Sequence, residues 1–268
     1  ILDNINTGTF LQALALGVCV RKLGHNPVLV NYSRPHLRFV YLVKNVFRNQ
    51  SKSFFRKGLS IINISLEQIL RMRLKHIVRK VIPMCSLNTL SKIDDRNTIY
   101  MTGSDQVWNN EYNRGIDPVF YLDFAPQHAK KIAYAASIGQ NSLSDIEKES
   151  MRSALKCYAC LTVREDLAKA QLTELGYDST QVLDPTLLLS KEEWLSVFKK
   201  SSFIKVEPFL LVYSVEWNND DLIMKLAKDI ASLRGLKIYV YSTSWNVKSV
   251  KCDLSLIHIS EPTRRVVI

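Results

Sequence analysis

Short apolar runs of strand length, each ending in a polar loop and followed by a helical stretch, recur along this sequence, and that order admits few folds. Residues 97–101 (Asn-Thr-Ile-Tyr-Met) enter Thr102-Gly103-Ser104-Asp105-Gln106-Val107-Trp108-Asn109. Residues 130–136 run into Ser137-Ile138-Gly139-Gln140, and a Ser144 cap then opens a helical stretch over 145–154. Residues 161–164 lead into a helix over 165–175 that Gly176 stops. Residues 181–189 read as a strand with an abrupt Asp184-Pro185 turn, followed by a helix over 191–198. Strands alternating with helices predict an α/β fold with a Rossmann-like parallel sheet. In such sheets ligands bind at the carboxyl ends of the strands, where loops meet helix N-termini.

The chain opens on the same grammar. Asn4-Ile5-Asn6-Thr7-Gly8 is a polar turn, Thr9 is the expected N-cap, and Leu11, Leu14, Ala15, Val18 and Leu23 give the following helix its apolar face. Gly24 closes that helix and residues 28–32 form the next strand. A strand is expected to precede the turn, of which only Ile1-Leu2 stand in the sequence. Past a polar linker at 199–207 the pattern restarts: strand 209–214, helix 220–233, a Gly235 stop, strand 236–241. The expected domains are therefore a Rossmann-like unit over 1–198 and the start of a second α/β domain over 208–253.

The last stretch, Leu254-Ser255-Leu256-Ile257-His258-Ile259-Ser260-Glu261-Pro262-Thr263-Arg264, resembles a translated transposon-type sequencing adapter. Residues 254–268 are accordingly expected to be a non-native tail, and His258 is left out as a catalytic candidate.

Charge is local. Residues 34–80 carry twelve basic residues against one acid, Glu67, and so account for the whole net charge of +11. Within 36–92 those basics alternate with Phe39, Val40, Leu42, Val43, Phe47, Phe54, Phe55, Leu66, Ile69, Leu70, Leu74 and Ile77 at helical spacing. Two or three amphipathic helices inserted between strands are expected. Their basic face reads either as a solvated surface or as contact with an anionic membrane or a polyanionic lipid-linked substrate. No nucleic-acid-binding motif accompanies the charge. No run of about 18 uncharged apolar residues is present. Five scattered cysteines point to reduced thiols and a cytoplasmic location, with the Cys157/Cys160 pair expected to be buried and structural.

Four polar loops fall at strand ends or helix starts: around Asn6 and Gly8, around Ser104, Asp105 and Gln106, around Ser137 and Gly139, and at Arg164-Glu165-Asp166. Helix N-termini and glycine N–H groups suit a phosphate or carboxylate, and Arg164 could clamp one. Asp105 reads as a base or sugar-hydroxyl acceptor, or equally as a helix cap. Gly8 and Gly139 fit plain turns, Arg164-Glu165 a local ion pair, Trp108 a core anchor, and Asp184-Pro185 a turn. There is no G-x-G-x-x-G, no Walker loop and no metal-spaced histidine pair, so no metal is expected.

Taken in order, these motifs resemble the polysaccharide pyruvyl transferase family. Asn6-Thr7-Gly8-Thr9-Phe10-Leu11-Gln12-Ala13-Leu14-Ala15-Leu16 with Leu23-Gly24-His25 is similar to the family's opening, and Gly103-Ser104-Asp105-Gln106-Val107-Trp108-Asn109 is the most specific match. Phe120-Tyr121-Leu122-Asp123-Phe124, the segment 131–139, Val163-Arg164-Glu165 and Val182-Leu183-Asp184-Pro185-Thr186 with Trp194 extend it. The resemblance implies a GT-B-like pair of Rossmann-type domains, the second incomplete here. It implies transfer of pyruvate from phosphoenolpyruvate to two hydroxyls of a cell-surface or exopolysaccharide glycan, which could be lipid-linked. No cofactor is implied beyond the donor, and the setting would be the cytoplasm, with the inner membrane face as an alternative. Asp105 becomes the implied catalytic residue; Asn6, Gly8, Gln12, Ser104, Gln106, Trp108, Asn109, Ser137, Gly139 and Arg164 become the implied substrate-binding residues. The family's histidine motif would lie past the end of this sequence, so the chain as written is expected to be inactive and the activity to belong to its parent. Two other readings stay open: a GT-B glycosyltransferase using a nucleotide-sugar, and a non-catalytic scaffold at a membrane surface.

Overall fold

The computed structural model describes residues 6–49, 53–90, 96–198, 208–213, 220–241 and 254–255. The chain forms two compact units, residues 1–197 and 198–268. In the first, α1 (Thr7–Lys22) leads to β1 (Leu29–Val30), then α2 (Phe39–Arg48), α3 (Phe54–Val81), β2 (Met84–Cys85) and α4 (Leu87–Leu90). The alternation proper follows: β3 (Ile99–Thr102), α5 (Asn110–Asn113), β4 (Lys130–Ala136), α6 (Asp145–Leu155), β5 (Tyr158–Val163), α7 (Asp166–Glu174), β6 (Thr180–Gln181) and α8 (Lys191–Val197).

Strands β3, β4, β5 and β6 lie side by side in that order, every pair parallel, and β1 pairs with β2 in a separate parallel ladder. Parallel neighbours need a crossover, and α5, α6 and α7 provide them. Their inner faces and the sheet share one core built on Trp108, Tyr121, Ile138, Met151, Leu155, Val163 and Leu172. Trp108 is wholly buried, stacks on Tyr121 at 5.9 Å between ring centroids, and meets Tyr158 edge-on at 6.3 Å.

β4 ends in a kink that places the next loop. Its register to β5 shifts between Ala133 and Ala136, and Ala135 has φ +48°. The Thr162 hydroxyl fills the irregularity, accepting from the Ala135 N–H at 3.0 Å and donating to the Ala133 carbonyl at 2.9 Å. Such a bulge turns the strand end aside.

Several expectations are corrected. Asn6, not Thr9, caps α1, its side chain accepting from the Gly8 N–H at 2.9 Å; Thr9 sits inside the helix. The basic insert is not wholly helical, because it contains β2. The expected strand at 181–189 reduces to Thr180–Gln181 followed by a 3-10 turn over Pro185–Leu187. Cys157 and Cys160 are exposed free thiols: β6 pairs only with Thr162 and Val163, leaving the first half of β5 uncovered on that side. Arg34 is no part of a solvated face. It is fully buried, with its guanidinium 4.4 Å above the Tyr112 ring and Nη1 donating to Asn113 Oδ1 at 2.9 Å.

In the second unit β7 (Phe209–Tyr213), α9 (Asp220–Arg234) and β8 (Lys237–Tyr241) form a strand–helix–strand, with β7 and β8 parallel around Val212, Met224, Ala227 and Val240. β9 (Leu254–Ser255) pairs parallel with β8, so two residues of the adapter-like tail stand in a strand. The linker at 199–207 and the rest of the tail lie outside the described residues.

Candidate functional site

The carboxyl ends of β3 to β6 and the N-terminal turn of α1 converge through side-chain hydrogen bonds. Asp105, just past β3, is held in an unusual backbone geometry. Its φ is +91°, and its carbonyl accepts from the N–H groups of Val107 (2.7 Å) and Ser137 (3.0 Å). The second of these bonds ties the β3 and β4 loops together. A non-glycine residue in this region costs about 1–3 kcal/mol and persists only where its surroundings over-determine it. Gly103, two residues earlier, has φ +107°, and a Cβ there would lie 2.1 Å from the Tyr134 carbonyl oxygen. The Gly103–Ser104 peptide is cis.

That backbone aims the Asp105 carboxylate at α1. Oδ2 accepts from the Thr9 hydroxyl at 2.9 Å and Oδ1 from the Gln106 N–H at 2.8 Å. One turn along α1, Gln12 Nε2 donates to Asp184 Oδ2 at 2.5 Å, and Arg164 Nη1 reaches the same oxygen at 3.2 Å. The other oxygen of Asp184 accepts from the N–H (2.9 Å) and hydroxyl (2.7 Å) of Thr186. Burial pushes the Asp184 carboxyl up, but the bonds from Thr186, Gln12 and Arg164 outweigh it and hold the group below its ordinary value. Burial likewise works against the charge on Arg164, and Glu165, Asp184 and Asp105 more than restore it. Arg164 also pairs through Nε with Glu165 at 2.7 Å, and no described residue takes its Nη2.

The remaining predicted residues divide into two groups. Gln106 and Asn109 position the loops. Asn109 caps α5 by accepting from the Tyr112 N–H at 2.9 Å, and donates to Gln106 Oε1 at 2.8 Å and to the Gly139 carbonyl at 3.3 Å. Gly139 has φ +66°, where a Cβ would come within 2.7 Å of the Gln106 side chain. Gln140 secures the loop from beneath, accepting from the Asn110 N–H at 2.9 Å and donating to Glu147 at 3.3 Å. Trp108, Ser104 and Ser137 are buried, so the structure sets them behind the site; the indole is closed off by Tyr121 and Tyr158 and offers no face to a sugar. The side-chain polar atoms of these three residues have no hydrogen-bond partner among the described residues.

Sequence reasoning missed two participants. Thr9 was expected only as a cap, and Asp184 only as a turn former. Asp184 does form the turn, yet it also joins α1 to the end of β5. No group of three or more His, Cys, Asp or Glu side chains able to hold a metal occurs among the described residues.

Parallel strands with helical crossovers define an α/β protein of Rossmann-like type, and in such sheets the carboxyl ends of the strands, where these polar side chains gather, are where ligands bind. The family model for polysaccharide pyruvyl transferase matches residues 6–242, so the chain belongs to that transferase family. No curated protein and no solved structure matches it.

Proposed function

We propose that the parent protein to which this chain belongs transfers pyruvate from phosphoenolpyruvate to two hydroxyls of a surface or exopolysaccharide glycan, forming a ketal and releasing phosphate, and that this chain carries the donor-binding part of that site. The observation that carries this reading is the linked set Thr9, Gln12, Asp105, Arg164 and Asp184 at the strand ends of a chain in this family. In the reaction the CH2 carbon takes up a proton and becomes CH3 as one sugar hydroxyl, giving up its own, adds to the adjacent carbon. The C–O bond to phosphate then breaks through an oxocarbenium-like centre, the second hydroxyl adds, and its proton leaves with the phosphate. Asp105 is partly exposed and pre-aimed, and each carboxylate oxygen holds one internal bond, which leaves capacity to accept a sugar hydroxyl. Arg164 offers the donor's anionic groups its unengaged Nη2, while Asp184 keeps the guanidinium oriented. The Glu165 pair, between adjacent and partly exposed side chains, exchanges at little cost. The strand–helix–strand of the second unit supports a GT-B-like architecture within this proposal. A cytoplasmic setting and the absence of any cofactor beyond the donor belong to the same reading.

Thermal unfolding of the chain with phosphoenolpyruvate and, separately, with a panel of nucleotide-sugars tests it. A ligand at about 100 times its Kd adds roughly 2.7 kcal/mol of stability. Phosphoenolpyruvate is expected to raise Tm in a dose-dependent way, and nucleotide-sugars to leave it unchanged. The reverse pattern would make the protein a glycosyltransferase and sink the proposal.

A further inference from the structure

We propose that the exposed face of α3, together with the outer side of α2, docks on a bilayer carrying anionic phospholipid headgroups. The inference is independent of pyruvyl transfer. α3 is 28 residues long, roughly 40 Å at helical rise, and its two sides differ. One side is turned inward: Val78 is buried and clusters with Phe10, Leu74 and Met84. The opposite side carries Phe55, Leu59, Ile62, Leu66 and Ile69 at alternating spacings of four and three residues, so they form a single stripe. All five are exposed, Phe55 at 74% and Ile62 at 56%, and Phe54 beside them is 92% exposed. Arg73, His76 and Lys80 continue that spacing into the last turns, so the stripe passes from apolar to basic along one face. α2 adds Val40, Lys44, Phe47 and Arg48 at helical spacing on its own exposed side.

An apolar stripe of this length on an exposed helix calls for a cover, and charge selects it. The only acid between residues 34 and 90 is Glu67, which lies off the stripe and half-buried, its carboxyl pushed up by burial. Lys75, bonded to Asn31, and Lys57, bonded to the Phe47 carbonyl, are committed within the fold. The exposed face is therefore apolar and cationic with no anion. A second copy would set cations against cations with nothing acidic to answer them. An anionic bilayer answers both features: headgroups meet Arg73 and Lys80 at the end of the stripe, and exposed Arg79 at its flank, while the stripe enters the acyl boundary. No helix among the described residues is long and apolar enough to cross a membrane, and an in-plane orientation fits a stripe with basic neighbours.

Flotation of the full chain with vesicles tests the proposal. One set is phosphatidylcholine alone, the other contains about one-third phosphatidylserine. The chain is expected to float with the mixed vesicles, to stay behind with phosphatidylcholine alone, and to be released by raised salt. The triple variant Arg73→Glu, Arg79→Glu, Lys80→Glu and the triple variant Phe55→Ser, Ile62→Ser, Ile69→Ser should each weaken binding at least about tenfold. Circular dichroism should match the wild type in both. Lys156→Glu with Lys169→Glu, exposed positions outside α2 and α3, should float as the wild type does. Equal flotation with both vesicle types, absence of flotation, or binding that survives the charge reversal would overturn the proposal. So would a dimer in sedimentation that only the Ser variant dissolves.

Discussion

At the scale of single residues the site is legible where its logic is local and hidden where it is long-range. Asp105 and Gly103 stand in one short motif, and the strained backbone of Asp105 explains why a carboxylate and a glycine two positions apart belong together. Thr9 and Asp184 could not be read this way. Their partners, Asp105 and Gln12, lie 96 and 172 residues distant, and no spacing rule registers a bond across such a separation. Trp108 carried two readings, a core anchor from its residue type and a substrate contact from the family resemblance; its burial fits the first, and the rings against it, Tyr121 and Tyr158, lie elsewhere in the sequence. Two substitutions follow from this geometry. Gly103→Ala is expected to destabilise the protein by more than about 2 kcal/mol in denaturant unfolding, since its Cβ would meet backbone and its φ disfavours a side chain. Tyr121→Phe should leave stability within about 1 kcal/mol of the wild type, because burial pushes the Tyr121 hydroxyl up and no described residue bonds it. A loss of several kcal/mol would reveal a partner for that hydroxyl.

At the scale of elements, helices announced themselves through caps and strands through apolar runs, but lengths and pairings did not. Ser144 with Glu147 gives α6 a complete capping box, readable from two residues. β2 went unread because Met84-Cys85 is too short to show a period, and it exists through pairing with β1. The capping box makes a pH prediction. The Ser144 side chain and backbone, helped by Asn110 and Gln140, hold the Glu147 carboxyl at about 2 against an ordinary 4.5. A carboxyl lowered on folding binds its proton more readily in the unfolded chain. Its stabilisation is therefore complete above about 4.5 and is lost as pH falls through about 2. Glu147→Gln should melt below the wild type at neutral pH, and the two Tm curves should converge on acidification across that window. A constant offset would assign the stabilisation to packing instead.

At the scale of the molecule, the family match over residues 6–242 and the hydrogen-bonded cluster at the strand ends are the two observations on which the proposed function rests. The charge that dominates the composition sits on a helical pair whose acid-free outer face has its own chemistry. α/β organisation was plain from alternating strands and helices. Which of the motif residues are buried and which are open to solvent was not, since burial is a property of the folded whole. Calorimetric titration of phosphoenolpyruvate into the wild type, Arg164→Met and Trp108→Phe tests the central claim most directly. The account predicts a single site whose affinity falls at least about tenfold in Arg164→Met, the scale of one lost charge-assisted contact, and stays unchanged in Trp108→Phe. Equal affinity in all three proteins, or no binding to the wild type, would contradict it.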